Sequence, residues 1–335
     1  MLKKSPFWNG KKVFLTGHTG FKGGWLSLWL ASLGAEVYGY SLPPTGEQNF
    51  YEIVGVKDVV QSSVFGDIRD FELLNRELIK CNPEIVLHLA AQPLVRYSYQ
   101  NPLETYATNV MGTVNLLESM RSVEHIRSTV IVTTDKCYEN REWEWGYREI
   151  DRLGGHDPYS NSKACAELCV ESYRKSFFSK KNIEISNNSI ATARAGNVIG
   201  GGDWSLDRLV PDILRASNKG GVLNIRNPDS TRPWQHVLEP LSGYLMLAEA
   251  LYEKGSEFSS PWNFGPNYED ALPVKQLIEM MNQKLINKVN VQYEKSDHAH
   301  EANFLKLDCS KSIKYLGWHP KWCVETALEK TISWD

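Results

Sequence analysis

Two hydrophobic periods take turns along the first part of the chain. Lys11–Thr16 is a short apolar, β-rich run whose end meets glycine. From Gly23 the spacing turns helical, with Leu26, Trp29, Leu30 and Leu33 at the i, i+3, i+4 and i+7 positions of one face. Gly34 ends that helix, and Glu36–Ser41 reads as the next strand. Further strand-like runs fall at Gln61–Phe65, Glu84–Leu89, Ser128–Thr134 and Ser189–Ala195. Between them, Phe71–Cys81, Pro102–Arg121 and Pro158–Phe178 carry helical patterns. Several strands are apolar throughout, so both of their faces must be covered, and this alternation of strand and helix builds a parallel sheet. Beyond Ala195 the order loosens. GGGDWS, NPDSTRP and GPNYEDALP are loop-rich, separated by short helical runs such as Pro211–Ser217 and Val274–Leu285.

Chemistry enters where the first strand meets the first helix. Thr16–Gly23 (TGHTGFKG) contains Gly17, Gly20 and Gly23 at three-residue spacing. In such a loop the first glycine makes the tight turn, the second lets backbone approach a pyrophosphate, and the third lets helix and strand pack closely. The helix N-terminus adds free N–H groups and a favourable dipole. The expected fold is therefore α/β, a Rossmann-type doubly wound parallel sheet with a smaller mixed α/β C-terminal substrate lobe. Residues 1–190 are assigned to the dinucleotide domain, completed by segments from about 225–265, and 191–335 to the interleaved lobe. At the end of the second strand an acid commonly holds the NAD ribose, but Tyr40-Ser41-Leu42 stands there. Ser41 is the candidate contact, and with no arginine beside it NAD is favoured over NADP. Asp67 and Ile68, in Gly66–Asp70, are placed against the adenine.

A second constellation is Tyr159-x-x-x-Lys163. Residues four apart share a helix face, so the ammonium stands beside the phenol and is expected to lower its pKa. A phenolate there takes a hydroxyl proton as hydride leaves for nicotinamide. The strand ending at Thr133-Thr134 supplies the partner hydroxyl.

Composition removes several alternatives. The chain has 335 residues with 37 basic and 40 acidic side chains, a formal net charge of -3, and 42% hydrophobic residues. That is a globular composition without the net basic surface of nucleic-acid binders. The longest apolar stretch, Trp25–Leu33, is far short of the ~20 residues that span a bilayer. The opening MLKKSPFWNG lacks an apolar leader core, and a cytoplasmic enzyme is expected. Six scattered cysteines with no CxxC pair read as reduced thiols, and no HExxH suggests a metal site.

TGHTGFKG, HLAAQPLV (His88–Val95), TNVMGT (Thr108–Thr113), VTTDK (Val132–Lys136) and YSNSK, taken in order, resemble the landmarks of the extended short-chain dehydrogenase/reductase superfamily. More narrowly, HTGFKG followed by WLSLWL, GYSLPP, GGGDW, RPWQHVLEPL and HEANFLKLDCSK resembles the nucleotide-sugar 4,6-dehydratases, and within them those using CDP-D-glucose. The resemblance implies oxidation at sugar carbon 4, loss of water across carbons 5 and 6, and hydride return to carbon 6. It matches Tyr159 to the base for the carbon 4 hydroxyl, Lys163 to its tuning and to the nicotinamide ribose, and Thr134 to the carbon 4 oxygen. Asp135 matches the acid that protonates the departing carbon 6 hydroxyl. Lys136 departs from the dTDP-sugar enzymes, which carry glutamate as the carbon 5 base. A lysine takes that proton only when neutral, a form that Lys163 and oxidised nicotinamide would favour. The alternative is that Lys136 only pairs with a carboxylate.

Cofactor contacts are further expected from His18, Thr19, Phe21, Lys22, Leu89, Ala90, Ala91 and Asn109, with Asn109 supporting backbone or water. Substrate contacts are expected from Gln92, Arg96, Asn197, Arg208 and Arg232, the last as a diphosphate clamp. Arg96 and Tyr99 are placed on a loop. Trp234 and His236 read as packing residues. The resemblance also implies a homodimer or homotetramer built on the helices near Pro102–Arg121 and Pro158–Phe178. The product would feed surface-polysaccharide deoxysugars. A 4-epimerase, or a dehydratase of another nucleotide sugar, is the competing reading; Asp135 speaks against the epimerase.

Overall fold

The computed structural model describes residues 5–178, 188–225, 227–293 and 304–334. The start of HEANFLKLDCSK, 300–303, lies outside them, as do 179–187 before the sixth strand. The central sheet has seven strands: β1 (Lys12–Thr16), β2 (Glu36–Ser41), β3 (Ser62–Phe65), β4 (Ile85–His88), β5 (Ser128–Val132), β6 (Ser189–Ala195) and Pro261–Phe264. Across the sheet they run Pro261–Phe264, β6, β5, β4, β1, β2, β3, every pairing parallel. The chain winds outward from β1 to β3, then returns beside β1 as β4. Connections leave β1 and β4 in opposite directions there, opening a crevice at the carboxyl ends of the strands.

Both faces of the sheet are covered, which is why β4 and β5 are buried at every position. On one face Leu26 and Leu30 of helix α1 (Phe21–Ser32) pack with Val13, Leu15 and Leu87 and with Leu247 and Leu251 of the Leu238–Lys254 helix. On the other, Phe14, Val86 and Ile131 meet Leu74 and Leu78 of the Phe71–Cys81 helix and Leu116 and Leu117 of the Gly112–Met120 helix. Phe71–Cys81 has the bounds its sequence predicts: Asp70 caps Leu73 N at 3.0 Å, and Asn82 at φ 44° ends it.

Three elements differ from expectation. Helix α1 begins at Phe21, two residues ahead of Gly23, because Gly20 is already the extended N-cap. Pro102–Arg121 is not one regular helix: Pro102–Tyr106 is followed by a π-turn at Ala107–Met111 and then by Gly112–Met120. The extra residue turns Asn109 inward, a local widening that apolar spacing does not report. Arg96 and Tyr99 lie on a short helix, Val95–Gln100, and not on a loop.

The second lobe packs the Leu209–Lys219, Val274–Lys284 and Val324–Trp334 helices around Leu223, Ile225 and Trp234. Short ladders tie it together: Val222–Ile225 with Asn290–Tyr293, and Thr231–Pro233 with Ala271–Pro273. The chain leaves this lobe to place the Leu238–Lys254 helix and the Pro261–Phe264 strand in the sheet layer. Among the described residues no helix is long and apolar enough to cross a membrane.

Candidate active site

A cavity of about 920 Å³ runs from the carboxyl ends of the central strands to the second lobe. Its first wall is the glycine loop. Gly17 has φ +79°, and a Cβ there would lie 2.7 Å from Ala90 N. A Cβ on Gly23 would lie 2.0 Å from the Gly17 carbonyl oxygen, so neither position admits a side chain. Gly20 differs: only that carbonyl oxygen, at 3.5 Å, comes near its absent Cβ, which leaves a cradle open to the cavity. With no side chain capping α1, its first N–H groups face the same space. This loop fits a dinucleotide pyrophosphate.

Farther along, Thr19 Oγ1 and Ser41 Oγ are 2.8 Å apart, and Thr19 donates to the Leu42 carbonyl at 2.9 Å. The end of β2 therefore presents a hydroxyl pair where many dinucleotide sites present a carboxylate. Asp67 and Ile68 line the cavity next to it. Arg69 grips the Asp67 carboxylate at 2.6 Å and holds it below the usual carboxylate range. Arg69 belongs to the same Gly66–Asp70 segment but carried no signal separating it from an ordinary surface arginine.

The chemical end is assembled from three elements. β5 stops at Val132, not at Thr134, because the chain turns into a 3₁₀ turn at Asp135–Cys137. Thr134 caps that turn by accepting from Lys136 N at 3.3 Å. The Pro158–Ser176 helix begins on Asp157, which accepts from Ser160 N at 3.0 Å, with Pro158 pre-set at the first position. Tyr159 and Lys163 project from its first turns into the cavity wall beside Thr133 and Thr134. Burial pushes the Tyr159 phenol up to about 12, with the Thr134 hydrogen bond working against it. The expectation that Lys163 lowers this pKa is not met: its amine donates to the Val132 carbonyl at 3.3 Å. Burial instead lowers Lys163 itself to about 8, opposed by Glu167.

Lys136 reaches the cavity and donates to Asn197 Oδ1 at 3.2 Å, with Asp135 Oδ1 at 3.7 Å. Asp135 is 0% exposed and sits one layer behind the cavity wall, bonded to Thr134 at 3.1 Å. Lys22 projects from α1 into the same space. Desolvation lowers its amine to about 7, reinforced by Arg208 and opposed by Asp135. Arg208 pairs with Asp203 at 3.3 Å, and Arg96 pairs with Asp207 at 2.6 Å across the cavity mouth. Arg232 lines the lobe side, 4% exposed, donating to the Thr231 carbonyl at 3.0 Å.

Comparison with known proteins adds the lineage. A family model described as GDP-mannose 4,6 dehydratase matches residues 14–331. The chain belongs to that family. Among its relatives, the CDP-glucose 4,6-dehydratase of Salmonella typhimurium is 54% identical over 98% of this chain and 91% of that protein. The dTDP-glucose 4,6-dehydratase of Haemophilus influenzae is 25% identical over 80% of each. The solved structure of the dTDP-glucose 4,6-dehydratase DesIV from Streptomyces venezuelae, with NAD bound, shares the fold at TM-score 0.80 and 23% identity over 96% of each chain.

In this member of the GDP-mannose 4,6 dehydratase family, two expected cofactor contacts fall outside the cavity wall. His18 is fully buried behind the glycine loop, its Nε2 2.7 Å from Ser63 Oγ and its ring beneath Gly39, so it does not line the cavity. Asn109 also lies outside the cavity wall. It accepts from Gln92 N at 2.9 Å and donates to the Gln92 carbonyl at 3.0 Å and to Ser162 Oγ at 2.9 Å. Gln92 lines the cavity, but its amide is committed to Leu94 and Thr105. Leu89, Ala90, Ala91, Phe21 and Asn197 do line it, and His236 packs against Trp322. Sequence reasoning missed the ion pair beneath the catalytic wall: Arg194 and Glu167, each about 2% exposed, meet at 2.8 Å. Glu167 also accepts from Thr133 and Thr192. Its one signal was the placement of Glu167 a helical turn after Lys163.

Proposed function

We infer that the chain catalyses the NAD-dependent dehydration of CDP-D-glucose to CDP-4-keto-6-deoxy-D-glucose. One observation carries this reading: a near full-length likeness to a CDP-glucose 4,6-dehydratase coincides with Thr134, Lys136, Tyr159 and Lys163 on one cavity, with Asp135 directly behind. When bound, NAD supplies a hydride acceptor and a positive charge beside the phenol. The glycine loop holds its pyrophosphate, Thr19 and Ser41 its ribose, and Ile68 with Leu89–Ala91 its flanks.

Within that frame the side chains divide the work. Tyr159 removes the carbon 4 hydroxyl proton while Thr134 bonds the same oxygen. The high resting position of the phenol keeps it protonated until substrate and cofactor are in place. The ketone formed at carbon 4 acidifies the carbon 5 proton, which Lys136 accepts. Asp135 gives its proton to the carbon 6 oxygen, and water leaves. Lys163 holds the nicotinamide ribose. Arg232 and Arg208 hold the diphosphate, and Asn197 keeps Lys136 aimed.

Assembly and location belong to the same reading. Leu103 (87% exposed), Met111 (52%) and Leu168 (54%) stud the outer faces of the helices spanning Pro102–Met120 and Pro158–Ser176. A second copy packing on them gives a homodimer, or a homotetramer by further pairing. Six free cysteines suit a reducing cytoplasm, where nucleotide sugars and NAD are also found. The product is a precursor for surface-polysaccharide deoxysugars.

The test is incubation with NAD and CDP-, dTDP-, UDP- or GDP-linked sugars, read by product mass. CDP-glucose should lose one water. Turnover confined to another nucleotide would transfer the reading to that substrate, and an isomer of unchanged mass would make the protein an epimerase.

A further inference from the structure

Behind the catalytic wall lies a polar cluster of which only Asp135 takes part in the chemistry above. Asp135 Oδ1 accepts from Thr134, but Oδ2 is buried with no hydrogen-bond partner among the described residues. Among the other buried atoms in that condition are the phenol oxygen of Tyr244 and Oε1 of Gln235, on side chains 0% and 1% exposed. The three belong to adjoining elements. A Cβ on Gly196 would lie 2.7 Å from Asp135 Oδ2 and 2.7 Å from Pro233, which puts Pro233, two residues before Gln235, beside the acid. Gln235 donates from its backbone to the Asn197 carbonyl at 3.2 Å and from Nε2 to the Phe264 carbonyl at 2.9 Å. Tyr244 stands edge-on to the Phe264 ring at 5.7 Å, and Tyr159 and Asp135 act electrostatically on its phenol. Burial raises that phenol far above the ordinary range, so it is a permanent hydrogen-bond donor.

Folded interiors rarely strand one such atom, and buried water with two to four partners is the usual remedy. The valences here match a single water: it accepts from Tyr244 and donates to Asp135 Oδ2 and Gln235 Oε1. We propose that Tyr244 and Gln235 hold a water molecule against Oδ2 of Asp135, which makes them positioning residues for the dehydration step. The proposal rests on Asp135 being the acid in the reaction inferred above. In that step the Asp135 proton moves to the carbon 6 oxygen and the carbon 6–oxygen bond breaks, releasing water. The carbon 5 proton passes to Lys136, and its bonding pair becomes the carbon 5–carbon 6 double bond. Asp135 is left as an anion in a dry interior. The held water, polarised by Tyr244, supplies a donor to that anion, and Tyr244 itself gives up no proton.

The experiment compares the wild-type chain with Tyr244→Phe and Gln235→Leu, each given NAD and CDP-glucose in rapid mixing and each melted thermally. Tyr244→Phe should lower kcat tenfold or more with KM unchanged. Reduced nicotinamide should accumulate transiently, because hydride removal proceeds while elimination lags. Its melting temperature should not rise, whereas a phenol lacking any partner would be relieved by deletion. Wild-type kcat without accumulation, or a clear rise in melting temperature, overturns the proposal. If Tyr244→Phe does not fold, Gln235→Leu is read by the same criteria. Should the wild-type chain form no keto product, the functional reading fails, and the melting comparison alone judges the water site.

Discussion

Two lysines decide how the site responds to pH and solvent. Lys136 is the expected carbon 5 base, so Lys136→Ala should retain NAD binding but lose carbon 5 proton exchange with solvent. Its kcat should fall by about 10²–10⁴-fold, the usual worth of a positioned acid or base. Normal exchange in deuterated water, read by mass, would remove Lys136 from that role. Lys22 answers to stability. Its amine is lowered to about 7 in the fold from 10.5, so between those values the unfolded chain binds the extra proton. Stability from this group therefore rises with pH above about 7 and is lowest below it. Lys163, lowered to about 8, adds the same sign over a narrower window. The melting temperature of Lys22→Met should accordingly exceed wild type most at pH near 6, the gap closing toward pH 9. A gap independent of pH would contradict this.

At the scale of elements, the catalytic turn is braced from behind. The Glu167–Arg194 pair joins the Pro158–Ser176 helix to β6 and holds Thr133 of the β5 end. Removing one partner strands a buried charge, so Arg194→Leu should cost about 3–5 kcal/mol in chemical denaturation. Asn109→Ala should cost about 1–3 kcal/mol by leaving the Gln92 backbone unmatched. It should also raise the KM for NAD, because Gln92 closes the cofactor wall. These braces explain what the sequence made legible and what it did not. The alternation of periods located every strand of β1 to β6 and the Phe71–Cys81 helix, since burial on one or both faces writes itself into apolar spacing. The glycine loop and the Tyr159–Lys163 pair were legible because their geometry needs fixed spacing. The π-turn at Asn109, the burial of His18 and the layer occupied by Asp135 were not, because each depends on which way a side chain turns within an already apolar surround. Burial likewise outweighed the ammonium at Tyr159, and spacing alone contains no dielectric.

The whole molecule carries a net charge of -3 yet is expected to gather two diphosphates. Affinity must then come from cations focused in the cavity, Lys22, Lys136, Arg208 and Arg232, and not from a global field. Their partners matter too: Asp203 and Asp207 hold Arg208 and Arg96 at the mouth, so substrate entry exchanges one anion for another. Sheet and lobe are interleaved in sequence, which ties the two halves of the cavity through the Leu238–Lys254 helix. The exposed apolar studs on the paired helices give the assembly prediction. Leu103→Glu combined with Leu168→Glu should turn the proposed dimer into a monomer in sedimentation, whereas an unchanged oligomer would place the interface elsewhere. The central claim is the reaction itself, and product analysis after incubation with CDP-D-glucose and NAD in deuterated water tests it most directly. A CDP-linked 4-keto-6-deoxy product, lighter by one water before isotope is counted and carrying deuterium at carbon 5, is predicted. Recovery of unaltered CDP-glucose, or of an isomer that has lost no water, would contradict the account.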